Sequence, residues 1–462
     1  MEQHIVAIDP GTSKMIAMIA KKEASGKISI SRTEKMDSEN AIRRGCVYNV
    51  DAAAEKTANL ISRLNRDYAM PKLRAPIEKV YVSIGGQSMH TERYSIRKQI
   101  ENGLMIDRPL LNKIEEEAKQ YKPELYEVLE ILPPEYYVDG QLNASPRGTT
   151  ASSIEARYQL IVVSNPNLKN LIRRAIPEKI EIVKYIVAPL ATAAAVLEKK
   201  EKELGCALVE FGAGVTYVSI YKSGILRYLV TIPLGGLAIT KDIRCLNVSE
   251  EEAENLKKNY GSAIADLEDV RKITIDEGLS TSREIEVRNL NAIIEARMDE
   301  ILENVIHQIQ ESGYGDSLGS GIVITGGGAM LRHLEDSFRN KTNRNIRLAC
   351  PTATGTNQPA DYSTIIGLLT LAKKDCVDPS TKEKGGWSGR IFGEDTSVEQ
   401  PGQEQKPKET TIKPQTPPKP LKEKGGGLFG VMVKKLGDIS DNLFSTADFE
   451  PDNKNDNNEK NQ

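Results

Sequence analysis

The chain has 462 residues, with 62 Lys+Arg against 65 Asp+Glu and a formal net charge of −3, a balance that argues against nucleic acid as a main partner, whose footprint is a strongly basic domain. The length favours two to four packed units at roughly 100–200 residues each, while 39% hydrophobic residues lies below the usual share of about 45–50% and predicts that part of the chain stays unpacked. Cys46, Cys206, Cys245, Cys350 and Cys376 form no C-x-x-C pair, His4, His90, His307 and His333 have no metal-ligand spacing, and the start M-E-Q-H-I-V lacks a signal-peptide pattern, so a reduced, cytoplasmic chain with isolated buried thiols is expected.

From the amino terminus to about residue 376, short β-rich runs alternate with amphipathic stretches, the pattern of an α/β protein. The first motif is I-V-A-I-D-P-G-T-S-K at residues 5–14, a strand over 5–9 and a Gly/Thr/Ser turn leading to a return strand over 16–20. Such a turn can aim backbone N–H groups at a phosphate, with Lys14 supplying charge and Asp9 able to hold magnesium through water. A plain β-hairpin is the other reading. Helical periodicity follows at 51–65, a strand at 80–84, a helix at 110–121, a strand at 158–163 and a helix at 167–175. The weakly polar stretch 185–197 is broken by Pro189 and is shorter than the roughly 20 residues that span a bilayer.

About two hundred residues after the first motif, A-L-V-E-F-G-A-G-V-T-Y-V-S-I-Y at 207–221 repeats the strand, glycine turn and return strand, and another strand covers 226–232. Two such hairpins suggest a duplicated fold with polyphosphate held between facing turns. Helices are expected at 250–259 and 282–310. In G-I-V-I-T-G-G-G-A-M-L at 321–331 a buried strand ends in Gly326, Gly327 and Gly328, which admit a flat ligand such as adenine against the backbone, or simply allow a tight strand–helix crossing.

Beyond residue 376 the apolar periodicity stops. Pro401, Pro407, Pro414, Pro417, Pro418 and Pro420, mixed with Lys, Glu, Gln and Thr, predict a disordered linker over 377–424. Residues 425–445 regain helical spacing, with Leu428, Met432, Leu436, Ile439 and Leu443 on one face widened by Phe429, Val433 and Phe444. Gly430 and Gly437 each cost about 1 kcal/mol in a helix, so this segment needs a lipid surface or a protein groove to fold on. From Val377 onward 13 Lys/Arg face 15 Asp/Glu, so no polybasic tail assists, and residues 446–462 read as a disordered tail.

The motif order resembles the actin, sugar-kinase and heat-shock-chaperone superfamily and, within it, the FtsA family of bacterial cell division. The resemblance rests on I-D-P-G-T-S-K (8–14), L-P-P-E-Y-Y-V-D-G-Q (132–141), A-P-L-A-T-A-A-A-V-L (188–197), I-P-L-G-G (232–236), I-T-G-G-G-A-M-L (324–331) and Y-S-T-I-I-G-L-L (362–369). It implies a two-lobed actin-like, ribonuclease H-like duplicated fold. Lobe 1 would take 1–83 and 161–198, an inserted subdomain 84–160, lobe 2 199–350 with a partner-binding subdomain at 241–315, and a connecting helix back 351–376. The linker and a terminal membrane-targeting helix would follow.

By the same resemblance, Gly11, Thr12, Ser13 and Lys14 form the first phosphate loop and Gly212, Ala213, Gly214 and Thr216 the second. Gly235 and Gly236 are further cofactor-binding positions, while Gly326, Gly327, Gly328 and Met330 contact adenosine. Glu254 and Lys257 match a ribose-facing helix, an ordinary solvated ion pair being the other reading. Where the family shows D-x-G-G-G-T-T-D, this chain has Glu210 to Tyr217 as E-F-G-A-G-V-T-Y. Two carboxylate positions are altered and Val215 lacks a hydroxyl, so ATP and Mg would bind while turnover is weak, with Glu210 the only catalytic candidate.

The implied partners are the carboxyl-terminal peptide of the tubulin-like protein FtsZ, met by Arg297 and less so by Arg288, further copies of the chain in a filament, later division proteins, and lipid at the cytoplasmic face of the inner membrane at the division site. A pilus-assembly scaffold of the PilM type and a small-molecule kinase of the same superfamily are the competing readings.

Overall fold

In the computed structural model, which describes residues 3–66, 77–101, 104–276 and 282–377, one strand order occurs twice. A five-stranded sheet runs Ile28–Asp37, Lys14–Lys22, Gln3–Pro10, Lys79–Ile84, Glu181–Val187. Its first two pairings are antiparallel and its last two parallel. A second set runs Ile225–Ile232, Thr216–Lys222, Cys206–Phe211, Ile322–Thr325, Ile346–Leu348 with the same senses in the same order. This is the duplicated, two-lobed actin-like fold. The central strands are apolar on both faces because both are covered: Ile5, Val6, Ala7 and Ile8 are all 0% exposed, as strands sandwiched between helices require.

Two helices, Ala188–Val196 and Ser363–Leu371, cross between the sheets. Each is apolar nearly all round, which a buried helix must be. They approach so closely that a Cβ on Gly367 would run into the Ala191 carbonyl, and their Thr192 and Thr364 hydroxyls share a 3.0 Å hydrogen bond.

The inserted subdomain leaves the first sheet after Ile84 and returns through the strand Ser153–Val163, which pairs with His90–Gln99. Helix Arg108–Gln120 covers it, started by Asp107, whose carboxylate accepts the Leu110 N–H, and by a proline in the first turn. Ile96, Ile114, Ile154 and Leu160 belong to its own core. The subdomain sheet joins the edge of the second lobe through the pairing of Val230 with His90.

The helix expected over 282–310 is corrected at its start. Ser282–Glu286 is a strand paired antiparallel with Lys272–Asp276, and the helix is Val287–Glu311. Ile285 sits opposite Ile273 and both are buried. A period-two pattern satisfied by a partner strand therefore prevails over the helical spacing downstream. The linker over 377–424 (beyond Val377), the terminal helix with Leu428, Phe429, Met432, Val433, Leu436, Ile439, Leu443 and Phe444, and the tail lie outside the described residues.

Candidate functional site

The two hairpin turns occupy equivalent places in the duplicated sheets. Asp9 pairs with Ile16 across the first hairpin and Glu210 with Tyr217 across the second, so Asp9 matches Glu210 and Gly11 matches Gly212. Each turn folds its glycine over a carbonyl of the return strand. A Cβ on Gly11 would lie 2.6 Å from the Lys14 oxygen, and one on Gly212 2.8 Å from the Val215 oxygen, so no other residue fits either tight turn. The turns also meet: a Cβ on Gly214 would come within 2.7 Å of the Thr12 methyl, and the Thr12 hydroxyl accepts the Gly45 N–H at 2.9 Å.

Between them opens a cleft of about 750 Å³. It is bordered by Asp9, Gly11, Thr12, Ser13, Lys14, Glu210, Gly212, Ala213, Gly214, Gly236, Glu254, Lys257, Gly326, Gly327, Gly328 and Met330. Two expected residues stand behind the wall instead. Thr216 is fully buried and donates to the Leu234 carbonyl at 2.9 Å. Gly235 packs on the Gly212 and Ala213 carbonyls, where helix Gly236–Ile243 begins by donating the Gly236 and Leu237 N–H groups to the same two oxygens. Both support the second turn rather than face the cavity.

The glycine wall follows from packing as much as from any ligand. Gly326 has φ 90°, and a Cβ there would meet the Phe211 carbonyl at 2.5 Å; Gly328 lies against the Phe211 side chain. Gly327 is free of such crowding, and Met330 is 55% exposed at the mouth. Also bordering the cleft, helix Glu250–Tyr260 opens with a Ser249–Glu252 capping box. Lys257 donates to Glu254 at 2.6 Å, to the Thr240 hydroxyl at 2.8 Å and to the Gly236 carbonyl at 2.9 Å. The two residues thus share one helical face with an ion pair bordering the cleft; burial lowers the Lys257 ammonium despite Glu254 beside it.

The cleft floor is acidic. Asp9 accepts the Ser83 hydroxyl at 2.5 Å, and burial still holds its carboxyl above the usual range. Glu210 accepts from Thr364 at 2.8 Å, and its other oxygen is buried without a partner. Burial, followed at a distance by the neighbouring Asp9 charge, pushes its carboxyl up to about 7. Lys14 reaches across to an ion pair with Asp361 and lies 5.3 Å from the Tyr362 ring centroid. Asp361 also keeps a buried oxygen with no partner.

Sequence reasoning missed Asp361, although it stands one place before the Y-S-T-I-I-G-L-L segment, and it missed Ser83, Thr364 and Arg332, which also border the cleft. Nothing in local spacing marks them. Tyr217 shows in the sequence only as a lost carboxylate. Arg297 lies away from the cleft on Val287–Glu311 and is held by Asp242 at 2.5 and 3.2 Å and by Glu300. Arg288 is an exposed partner of Glu286 at 2.8 Å. Among the described residues no three His, Cys, Asp or Glu converge on a metal-sized site, and no helix is long and apolar enough to cross a membrane.

Residues 207–367 match the family model "Cell division protein FtsA", and residues 86–162 match "SHS2 domain inserted in FTSA". The chain is 30% identical over 465 residues to the Cell division protein FtsA of Porphyromonas gingivalis, covering 94% of this chain and 96% of that protein. It is 28% identical over 384 residues to that of Neisseria meningitidis, covering 81% and 91%. Among solved structures, the PilM-PilN type IV pilus biogenesis complex aligns with a TM-score of 0.55 at 13% identity, over 79% of this chain and 97% of that one, a likeness of fold.

Proposed function

The chain belongs to the FtsA family of bacterial cell-division proteins, and on that footing we propose that it binds ATP between its lobes, polymerises, and ties FtsZ filaments to the cytoplasmic face of the inner membrane at the division site. The observation that carries the nucleotide reading is the pair of equivalent glycine turns in contact at one cleft, Gly214 against Thr12. A triphosphate would lie between them, Lys14 exchanging Asp361 for a phosphate oxygen. Adenine would lie along Gly326, Gly327 and Gly328, and ribose beside Glu254 and Lys257.

The donor set fits Mg²⁺. Asp9 and Glu210 offer carboxylate oxygens, one of them buried and unpartnered, and this ion takes one or two carboxylates plus phosphates while keeping several waters. It would neutralise phosphate charge there. Turnover would be slow, because Val215 and Tyr217 stand where the family carries a hydroxyl and a carboxylate.

The membrane and FtsZ contacts rest on family membership together with the amphipathic spacing of 425–445 and the placement of Arg297. Family membership likewise favours division over a pilus scaffold, to which the likeness is one of fold. Titration with a fluorescent ATP analogue tests the cleft: Lys14→Ala should weaken binding at least tenfold, and equal affinity would remove the phosphate loop from the reading. A chain ending at Lys424 should stay in the supernatant when mixed with vesicles that pellet the full chain; equal pelleting refutes the anchor.

A further inference from the structure

The second hairpin carries Tyr217 at a position where the fold offers it an unusual destination. Its side chain is 6% exposed and leaves the second lobe to reach the loop that follows strand Lys79–Ile84 of the first. There the phenol oxygen accepts the buried Gly86 N–H at 3.1 Å. The receiving niche is built of glycine. A Cβ on Gly85 would stand 2.5 Å from the phenol oxygen and one on Gly45 3.2 Å from it, Gly45 having φ +75°. A side chain at Gly85 would displace the ring, and one at Gly45 would crowd it and strain the backbone.

Gly86 is also where the chain enters the inserted subdomain. Just beyond it, the Thr231 hydroxyl of the second lobe donates to the Met89 carbonyl at 2.8 Å, and the Leu229 N–H donates to the Thr91 hydroxyl at 3.0 Å. Farther out, Arg227 forms a two-pronged ion pair with Glu135. The subdomain is therefore covalently part of the first lobe but hydrogen-bonded along the edge of the second. Tyr217 is the contact of this series that also borders the cleft.

We propose that Tyr217 is a positioning strut that seats the entry of the inserted subdomain on the second lobe, so that cleft closure and subdomain movement are one motion. Nucleotide held between the turns pulls the Glu210–Tyr217 strand end against the first lobe, and the phenol carries that displacement to Gly86. The loss of a carboxylate at this position then has a gain beside it, a mechanical link that a short acid could not span. This inference rests on the nucleotide reading only for its ligand-dependent part.

Amide-resolved hydrogen exchange on the full chain, wild type and Tyr217→Phe, with and without saturating MgATP, separates the two. Without ligand, the Gly86 amide should exchange roughly fivefold to tenfold faster in the variant, since one buried hydrogen bond is lost while the ring remains. With MgATP, wild type should gain protection both in the phosphate turns and over residues 86–99, and Tyr217→Phe should gain it in the turns alone. Gly85→Ala, which crowds the phenol out, should behave as Tyr217→Phe does. An unchanged Gly86 amide, or equal ligand protection over 86–99 in both proteins, overturns the strut. Absence of protection in the wild-type turns would instead overturn the nucleotide reading, the strut still being judged by the ligand-free amide.

Discussion

Glu210→Gln should stabilise the ligand-free protein, and more so as pH rises. The folded carboxyl titrates at about 7 against an ordinary 4.5 because burial penalises its charge. The folded chain holds this proton more tightly than the unfolded one, so the group's contribution to stability is complete below pH 4.5 and is lost as pH climbs through about 7. At 1.36 kcal/mol per pH unit, the carboxylate costs about 1 kcal/mol at pH 5 and about 3 kcal/mol at pH 8. Glutamine keeps an acceptor for Thr364 and removes the charge. Urea denaturation of both proteins without nucleotide at pH 5, 6, 7 and 8 should show the variant's advantage growing across that range. An advantage that does not change with pH would refute a buried, reluctant carboxylate. Titrating groups that do not interact with Glu210 cancel in the difference, among them Glu155 and Asp269, which hydrogen bonds from arginine draw down to about 2.

Gly367→Ala should cost about 1–3 kcal/mol by forcing the two crossing helices apart, read as a lower unfolding midpoint; an unchanged midpoint would show that the helices have slack. Asp361→Asn should tighten binding of an ATP analogue severalfold by freeing Lys14 from a competing carboxylate, and weaker binding would mean that Asp361 serves the ligand instead. Arg297→Ala should weaken binding of the FtsZ carboxyl-terminal peptide about tenfold. Equal affinity would leave Arg297 as an internal partner of Asp242 and Glu300 alone.

Much of the fold is legible in the residues. Runs such as I-V-A-I, bounded by turn residues, read as strands covered on both faces, and G-T-S-K and G-A-G-V between such runs read as tight turns, where a Cβ at Gly11 or Gly212 would strike the carbonyl of Lys14 or Val215 at the start of the return strand. Ser282–Glu286 reads as helix in the sequence for the opposite reason. Its alternation is five residues long and abuts a strong helix, and only pairing with Lys272–Asp276 decides between them. Glu254 and Lys257 could be placed on one face from their spacing of three, yet nothing in that spacing says that the face borders a cleft.

Local periodicity and turn chemistry are properties of neighbouring residues, so the chain itself determines its two hairpins, its glycine wall and its apolar helices. Which of these meet is settled by sheet order and helix crossing. Lys14 finds Asp361 across 347 positions, Gly214 rests on Thr12, and Tyr217 reaches Gly86 across 131. Those pairings depend on how two duplicated sheets close on each other. Closure is driven by burial of apolar surface, which is indifferent to the polar partners it brings together.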